Sequence, residues 1–258
     1  MNHLSFIRTR NSISFLLLAV FLFACKSSVN KPQDGSQRVA IPELSDEFDG
    51  TSLDTNKWWP NNPAWLGREP SYFHVNNVEV KNGNLLIHQR KERFPDMPER
   101  FTYTTGAIKS KMLVKYGYFE IRCKTMPAYA TSAFWFYHNT DKYWTEIDVF
   151  EILGTKEPKT VYMTLHVMPP SLEKHLQSGD KWTGPDNLYE NFHTYAVDWN
   201  KDEIIFYVDS VVRRKVANTY WHDLLYLNID SEIMPEWIGF DDSYLPATYT
   251  IDYVRAWK

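Results

Sequence analysis

Tyr118-Phe119-Glu120-Ile121-Arg122-Cys123-Lys124 alternates without a break: Phe119, Ile121 and Cys123 fall on one side of an extended chain, Glu120, Arg122 and Lys124 on the other. A period of two presents one face to a core and the other to solvent, as a half-buried β-strand requires. Cys123, on the apolar side, reads as a small core residue rather than a reactive thiol. The same rhythm recurs in both directions and predicts strands at 106–114, 131–137, 145–153, 160–167, 193–199, 203–208, 224–231 and 248–257. No stretch of helical periodicity longer than about three turns competes with it. Short strands separated by turn signals such as Asn82-Gly83-Asn84 imply an all-β, two-sheet antiparallel sandwich of jelly-roll type with an open cleft. Two long connections, 58–72 and 169–190, stand out as loops able to carry function.

Outside this pattern lies the N-terminal end. Arg8 and Arg10 precede an apolar stretch from Ile13 to Ala24 that is short for a bilayer span, so residues 1–24 read as an export signal. Leu22-Phe23-Ala24-Cys25 resembles a bacterial lipoprotein cleavage site, with Cys25 as the lipidated first residue and Phe23 as a departure from the usual pattern. Ordinary secretion is the alternative. Residues 25–39 are Ser-, Lys-, Gln- and Pro-rich and read as a flexible tether; the folded domain is expected over 40–258. The expected location is the bacterial cell envelope or outside it, with membrane contact only through the anchor. Cys25 and Cys123 are the only cysteines, so no intramolecular disulfide is expected in the mature domain. A net charge of −4 and the absence of a basic run argue against a nucleic-acid partner. Aromatic residues make up 16% of the chain, with ten Trp and sixteen Tyr; this exceeds the needs of the core and suggests rings exposed on a binding surface. Flat aromatic faces suit the stacking of sugar rings, so a polysaccharide is a candidate partner for such a surface, and a monomer is expected.

The chemistry is concentrated in Trp144-Thr145-Glu146-Ile147-Asp148-Val149-Phe150-Glu151-Ile152-Leu153. Three carboxylates in an otherwise apolar strand are costly to bury without partners, and the local sequence supplies no cation. In a regular strand Glu146 and Asp148 share a face and Glu151 takes the opposite one. A one-residue bulge between Asp148 and Glu151 returns Glu151 to that face. Carboxyls at about 5–5.5 Å serve retaining glycosidases and at about 6.5–9.5 Å inverting ones; the retaining geometry is expected. Like-charge repulsion raises at least one pKa. Glu146 is expected to be the ionised nucleophile and Glu151 the protonated acid/base, with Asp148 orienting Glu146 and sharing a proton.

This Glu-x-Asp-x-x-Glu pattern resembles the active-site signature of glycoside hydrolase family 16, whose members are retaining jelly-roll enzymes. The resemblance covers almost the whole mature chain. It extends to Ser45-Asp46-Glu47-Phe48-Asp49-Gly50, Tyr116-Gly117-Tyr118, Phe192-His193-Thr194-Tyr195-Ala196-Val197-Asp198-Trp199 and Ile251-Asp252-Tyr253-Val254-Arg255-Ala256-Trp257. It implies no cofactor for catalysis. It also implies a structural calcium held by Glu47, the Gly83 carbonyl and Asp252, oxygen donors suited to a hard cation; plain surface acids are the other reading of Glu47 and Asp252.

Strand alternation nominates the rest of the cleft. His166 shares a face with Tyr162 and Thr164, and Trp135 with Ala133 and Tyr137. His166 is therefore expected beside the carboxylates, or else as a satisfied structural histidine. Trp135 is expected beneath a sugar ring, or else in the core. Family members cutting β-1,3-glucans carry Trp-Pro before the motif and Gly where Thr145 stands. This chain has Phe134-Trp135-Phe136-Tyr137 and Tyr143-Trp144-Thr145, with Trp65-Leu66-Gly67-Arg68 upstream and Asn228-Ile229-Asp230-Ser231-Glu232 downstream. That pattern looks more like the enzymes of red-algal galactans: agarases, porphyranases and carrageenases. Trp65, Arg68, Trp144, Glu232 and Trp237 are accordingly expected to contact substrate. Arg68 suits a sulfate or hydroxyl and equally a loop-stabilising salt bridge. The remaining alternatives are a laminarinase-type endo-β-1,3-glucanase and a non-catalytic carbohydrate-binding jelly roll, which is expected to have lost one of the glutamates.

Overall fold

Every alternating stretch becomes a strand. The computed structural model describes residues 32, 35–139, 144–168 and 174–258; the expected signal segment and Cys25 lie outside the described residues. In chain order come β1 (Trp58–Trp59), β2 (Ser71–Phe73), β3 (Val78–Lys81), β4 (Asn84–Gln89) and β5 (Tyr103–Thr105). Next are β6 (Ala107–Val114), β7 (Gly117–Lys124), β8 (Ser132–Asn139), β9 (Trp144–Ile152), β10 (Thr160–Met168) and β11 (Leu176–Thr183). After them run β12 (His193–Trp199), β13 (Glu203–Val208), β14 (Val211–Ala217) and β15 (Leu225–Asp230). A single helical turn, α1 (Pro235–Ile238), precedes the last strand, β16 (Ala247–Trp257).

Two seven-stranded sheets result, one ordered β1-β6-β15-β8-β9-β10-β11 and the other β14-β13-β12-β7-β16-β4-β3; β2 and β5 form a small parallel pair. Pairing within both large sheets is antiparallel. Each sheet turns its apolar side to the other, so Phe119, Ile121 and Cys123 of β7 share one core with Phe134 and Phe136 of β8. Rings lock the two layers: Phe119 lies 4.8 Å from Phe136 and Phe150 lies 4.4 Å from Tyr195. Each such side chain, buried relative to leaving it exposed, stabilises by roughly 1.5–3 kcal/mol.

Two features depart from the expectations, and the turn signal at Asn82-Gly83 is met. The connection 169–190 contains β11, an edge strand paired with β10 throughout its length. Arg214 of β14 holds that edge from the opposite sheet, donating to the Met163 carbonyl at 2.6 Å and the Ser178 carbonyl at 2.9 Å. Asn82-Gly83 is the two-residue loop of a β3–β4 hairpin; both residues have positive φ, 54° and 71°, the backbone that a type I′ turn demands. Finally, Arg38 and Val39 are docked instead of belonging to the tether: Val39 exchanges backbone hydrogen bonds with Lys258 at 2.8 and 2.7 Å, and Arg38 donates to Asp198 at 2.6 Å.

Candidate active site

The bulge is in β9. Towards β8, Trp135 faces Asp148, Phe134 faces Phe150 and Ala133 faces Glu151, so Val149 has no partner. Towards β10, the two steps from Thr164 to Tyr162 match the three from Asp148 to Glu151. Val149 and Phe150 both enter the core, where two consecutive apolar side chains are buried at the cost of one ladder position. Glu151 thereby returns to the face of Glu146 and Asp148.

Register then arranges the open face of the sheet as three rows. Tyr226, Tyr137, Glu146, His166 and Gln177 stand side by side across β15, β8, β9, β10 and β11. Asn228, Trp135, Asp148, Thr164 and Gly179 form the second row, and Asp230, Ala133, Glu151, Tyr162 and Lys181 the third. The small side chains of Ala133, Thr164 and Gly179 keep the floor low between the carboxylates and the aromatic rings. A cleft of about 850 Å³ opens over it.

Besides Asp180 on the β11 wall, five carboxyls share this region, and its electrostatics follow from their crowding. Burial, then Asp148, push Glu146 well above the usual carboxylate range, while His166 pulls it back. Burial raises Asp148 and a hydrogen bond with Glu146 opposes the rise. Burial, Asp148 and Glu146 together raise Glu151. Asp230 and Glu232 are raised chiefly by burial as well, opposed by Trp135 and Arg68 respectively. The trio on β9 therefore holds fewer than three charges near neutral pH, which is the condition for one member to donate a proton while another attacks. His166 Nε2 lies 3.2 Å from Asp148 Oδ2 and 4.0 Å from Glu146 Oε1. Its Nδ1 shares a 2.8 Å hydrogen bond with His175 Nε2, and burial lowers its pKa, favouring the neutral ring.

All ten cleft residues expected from the sequence line this one space: Glu146, Asp148, Glu151, Trp65, Arg68, Trp135, Trp144, His166, Glu232 and Trp237. Arg68 makes the salt bridge that is one of its two readings. Its Nε donates to Glu232 Oε2 at 2.8 Å, and the half-exposed guanidinium lies 5.8 Å from the Trp65 ring centre. Trp135 is half-buried on the floor, donating to Asp230 Oδ2 at 2.8 Å, with Trp65 edge-on at 6.4 Å. The oxygens expected to hold calcium are engaged differently: Glu47 accepts from Arg255 Nε at 2.7 Å and Nη2 at 2.9 Å, and Asp252 accepts from Arg122. A cation there has to compete with two guanidinium groups.

Asp230 and the wall formed by Gln177, Gly179 and Lys181 of β11 were not anticipated. β11 is exposed almost throughout, so it lacks the apolar alternation by which strands are read. Asp230 ends a strand whose other polar position, Asn228, carries the same period-two signal.

Residues 39–258 match the family model described as Beta-porphyranase A-D, GH16 domain. The chain is 30% identical to a beta-porphyranase B of Zobellia galactanivorans, over 94% of each chain. It is 32% identical to glucan endo-1,3-beta-glucosidase A1 of Niallia circulans, over 90% of this chain and 40% of that protein. The crystal structure of porphyranase B from Zobellia galactanivorans superposes with a TM-score of 0.76 at 28% identity, covering 90% of this chain and 97% of that one.

Proposed function

The chain belongs to glycoside hydrolase family 16, in its beta-porphyranase A–D group, and from that premise we propose that it is a retaining endo-hydrolase of a sulfated red-algal galactan of porphyran type. The observation that carries the chemistry is the register shift at Val149, which gathers Glu146, Asp148 and Glu151 on one floor. In the proposed reaction Glu146 attacks the anomeric carbon while Glu151 gives its proton to the leaving oxygen, forming a glycosyl-enzyme. Glu151, now ionised, then takes a proton from water, which releases the sugar with its configuration kept. Asp148 lies between them, orients Glu146 and shares its proton; His166 supports that pair. Trp135 and Trp144 stack against sugar rings, and Arg68 turns its fork to a sulfate or hydroxyl oxygen. The galactan reading is supported by the relatedness to beta-porphyranase B and by Arg68 at the cleft wall. The N-terminal leader and Cys25 are proposed to deliver the enzyme to the cell envelope as a lipoprotein.

Reducing-end release from porphyran, agarose, carrageenan and laminarin, assayed side by side, tests the substrate. Porphyran is expected to be cut fastest, and preferential release from laminarin identifies an endo-β-1,3-glucanase instead. Proton NMR of the first products is expected to show the β-anomer; an initial α-anomer overturns the retaining mechanism. Glu146→Gln is expected to abolish turnover with an unchanged circular-dichroism spectrum, and retained turnover removes Glu146 from the mechanism.

A further inference from the structure

Among the described residues four large aromatic side chains are exposed, Tyr220, Trp237, Phe240 and Tyr244, and three of them fall within the eight residues 237–244. This segment runs from the last residues of α1 towards β16 and starts at the cleft, because Trp237 is one of its lining residues and packs edge-on to Tyr162 at 5.3 Å. The outer rings are also held in place. Phe240 meets Tyr103 edge-on at 5.0 Å and Tyr244 packs on Tyr129 at 5.6 Å. Between them Asp242 accepts from the Tyr103 hydroxyl at 3.0 Å and pairs with Lys91 at 2.6 Å, while Asp241 caps the turn by accepting from the Ser243 amide at 3.0 Å.

Rings that are both exposed and fixed form a poor surface for water and a good one for a flat partner with apolar faces and polar edges. A pyranose chain has that chemistry: its axial C–H faces stack on rings, and its hydroxyls reach the polar groups between them. Continuity with the cleft at Trp237 identifies which pyranose chain it is. We propose that Phe240 and Tyr244 form an outer platform that binds the stretch of galactan extending beyond the cleft, so that long chains are held more tightly than short ones. This rests on the reading of the cleft as a galactan site.

The test is the Phe240→Ala/Tyr244→Ala double variant, compared with the parent on galactan polymer and on a short oligosaccharide of the same galactan, with each single variant made alongside. Losing a ring contact of ordinary size corresponds to roughly a two- to tenfold loss of affinity per ring. A rise in KM of that order on polymer is expected, with kcat/KM on the oligosaccharide unchanged. Affinity electrophoresis of the same changes in a Glu146→Gln background is expected to show weaker retardation by polymer. Equal kinetics and equal retardation overturn the platform, as does a change confined to self-association in size-exclusion chromatography, which points to a second copy as the occupant. Should the double variant melt early, the single variants carry the comparison. A parent that cuts no galactan at all refutes the functional reading instead, a result distinct from a platform that makes no difference.

Discussion

Glu151 occupies a place where a neutral side chain suits the fold better than an acid. Its carboxyl is raised by burial and by the charges of Asp148 and Glu146, so the folded state holds its proton more tightly than the unfolded chain does. The sign follows from linkage: below the unfolded carboxylate value both states are protonated and Glu151 costs nothing. As pH rises towards the folded value the unfolded chain releases the proton first, and stability falls. Glutamine at 151 removes that loss. Glu151→Gln is therefore expected to melt higher than the parent at pH 8, by about 2–4 °C if ~1 kcal/mol is recovered in a domain of this size, and to melt alongside it near pH 4. Turnover is expected to drop roughly 10²–10⁴-fold, the usual contribution of a positioned proton donor. Equal melting at both pH values shows that the Glu151 carboxyl keeps an ordinary pKa in the cleft. Stability surrendered for chemistry at one residue is the general pattern of active sites.

At the scale of the element the deciding object is the odd residue in β9, and parity tests it. Inserting one alanine after Val149 puts Glu151 four steps from Asp148, an even number that a regular strand carries without a bulge. Glu151 then keeps the cleft face but moves roughly 6–7 Å further along the strand, and loss of activity is expected. Deleting Val149 removes the bulge and leaves Glu151 an even number of steps from Asp148, so a folded protein with all three carboxyls on the cleft face is expected, destabilised by the lost valine. Activity in the insertion variant, measured as reducing-end release, contradicts the assignment. The bulge was legible beforehand because Val149 and Phe150 are both apolar, and an apolar pair between two acids leaves only one way to satisfy both faces. Likewise His166 and Trp135 were placed by alternation, since Met163 and Leu165 on one strand and Phe134 and Phe136 on the other define the buried side. β11 was not legible: as an edge strand with exposed side chains it is fixed by its pairing to β10 and by Arg214, neither of which leaves a periodic trace. Charged and polar side chains on such an edge are what protects it from pairing with another molecule.

Across the whole molecule, the two ends of the domain are fastened to each other, and this bears on the calcium expectation. The segment from Val39 to Asp46 runs along β16, with the Ile41 amide donating to the Ala256 carbonyl at 2.8 Å and the Asp46 and Val254 backbones exchanging hydrogen bonds at 2.8 and 2.9 Å. Ser45 Oγ accepts from the Ala256 amide at 3.0 Å, and Arg255 grips both oxygens of Glu47. With no disulfide among the described residues and Cys123 buried, this clasp is what keeps the first and last segments of the sandwich together. Arg255 pairs with Glu47 and Arg122 with Asp252, the two carboxylates of the calcium reading, so the protein is expected to melt at the same temperature in EDTA as in excess calcium chloride. Arg255→Met keeps the aliphatic stem but leaves Glu47 unpaired. It is expected to lower the melting temperature by about 2–4 °C, the effect of ~1 kcal/mol in a domain of this size, because the pair is partly exposed and therefore screened. Stabilisation of the parent by calcium, abolished when Asp252 is changed to alanine, gives the opposite answer: the ion then displaces the guanidinium groups and the clasp is metal-linked.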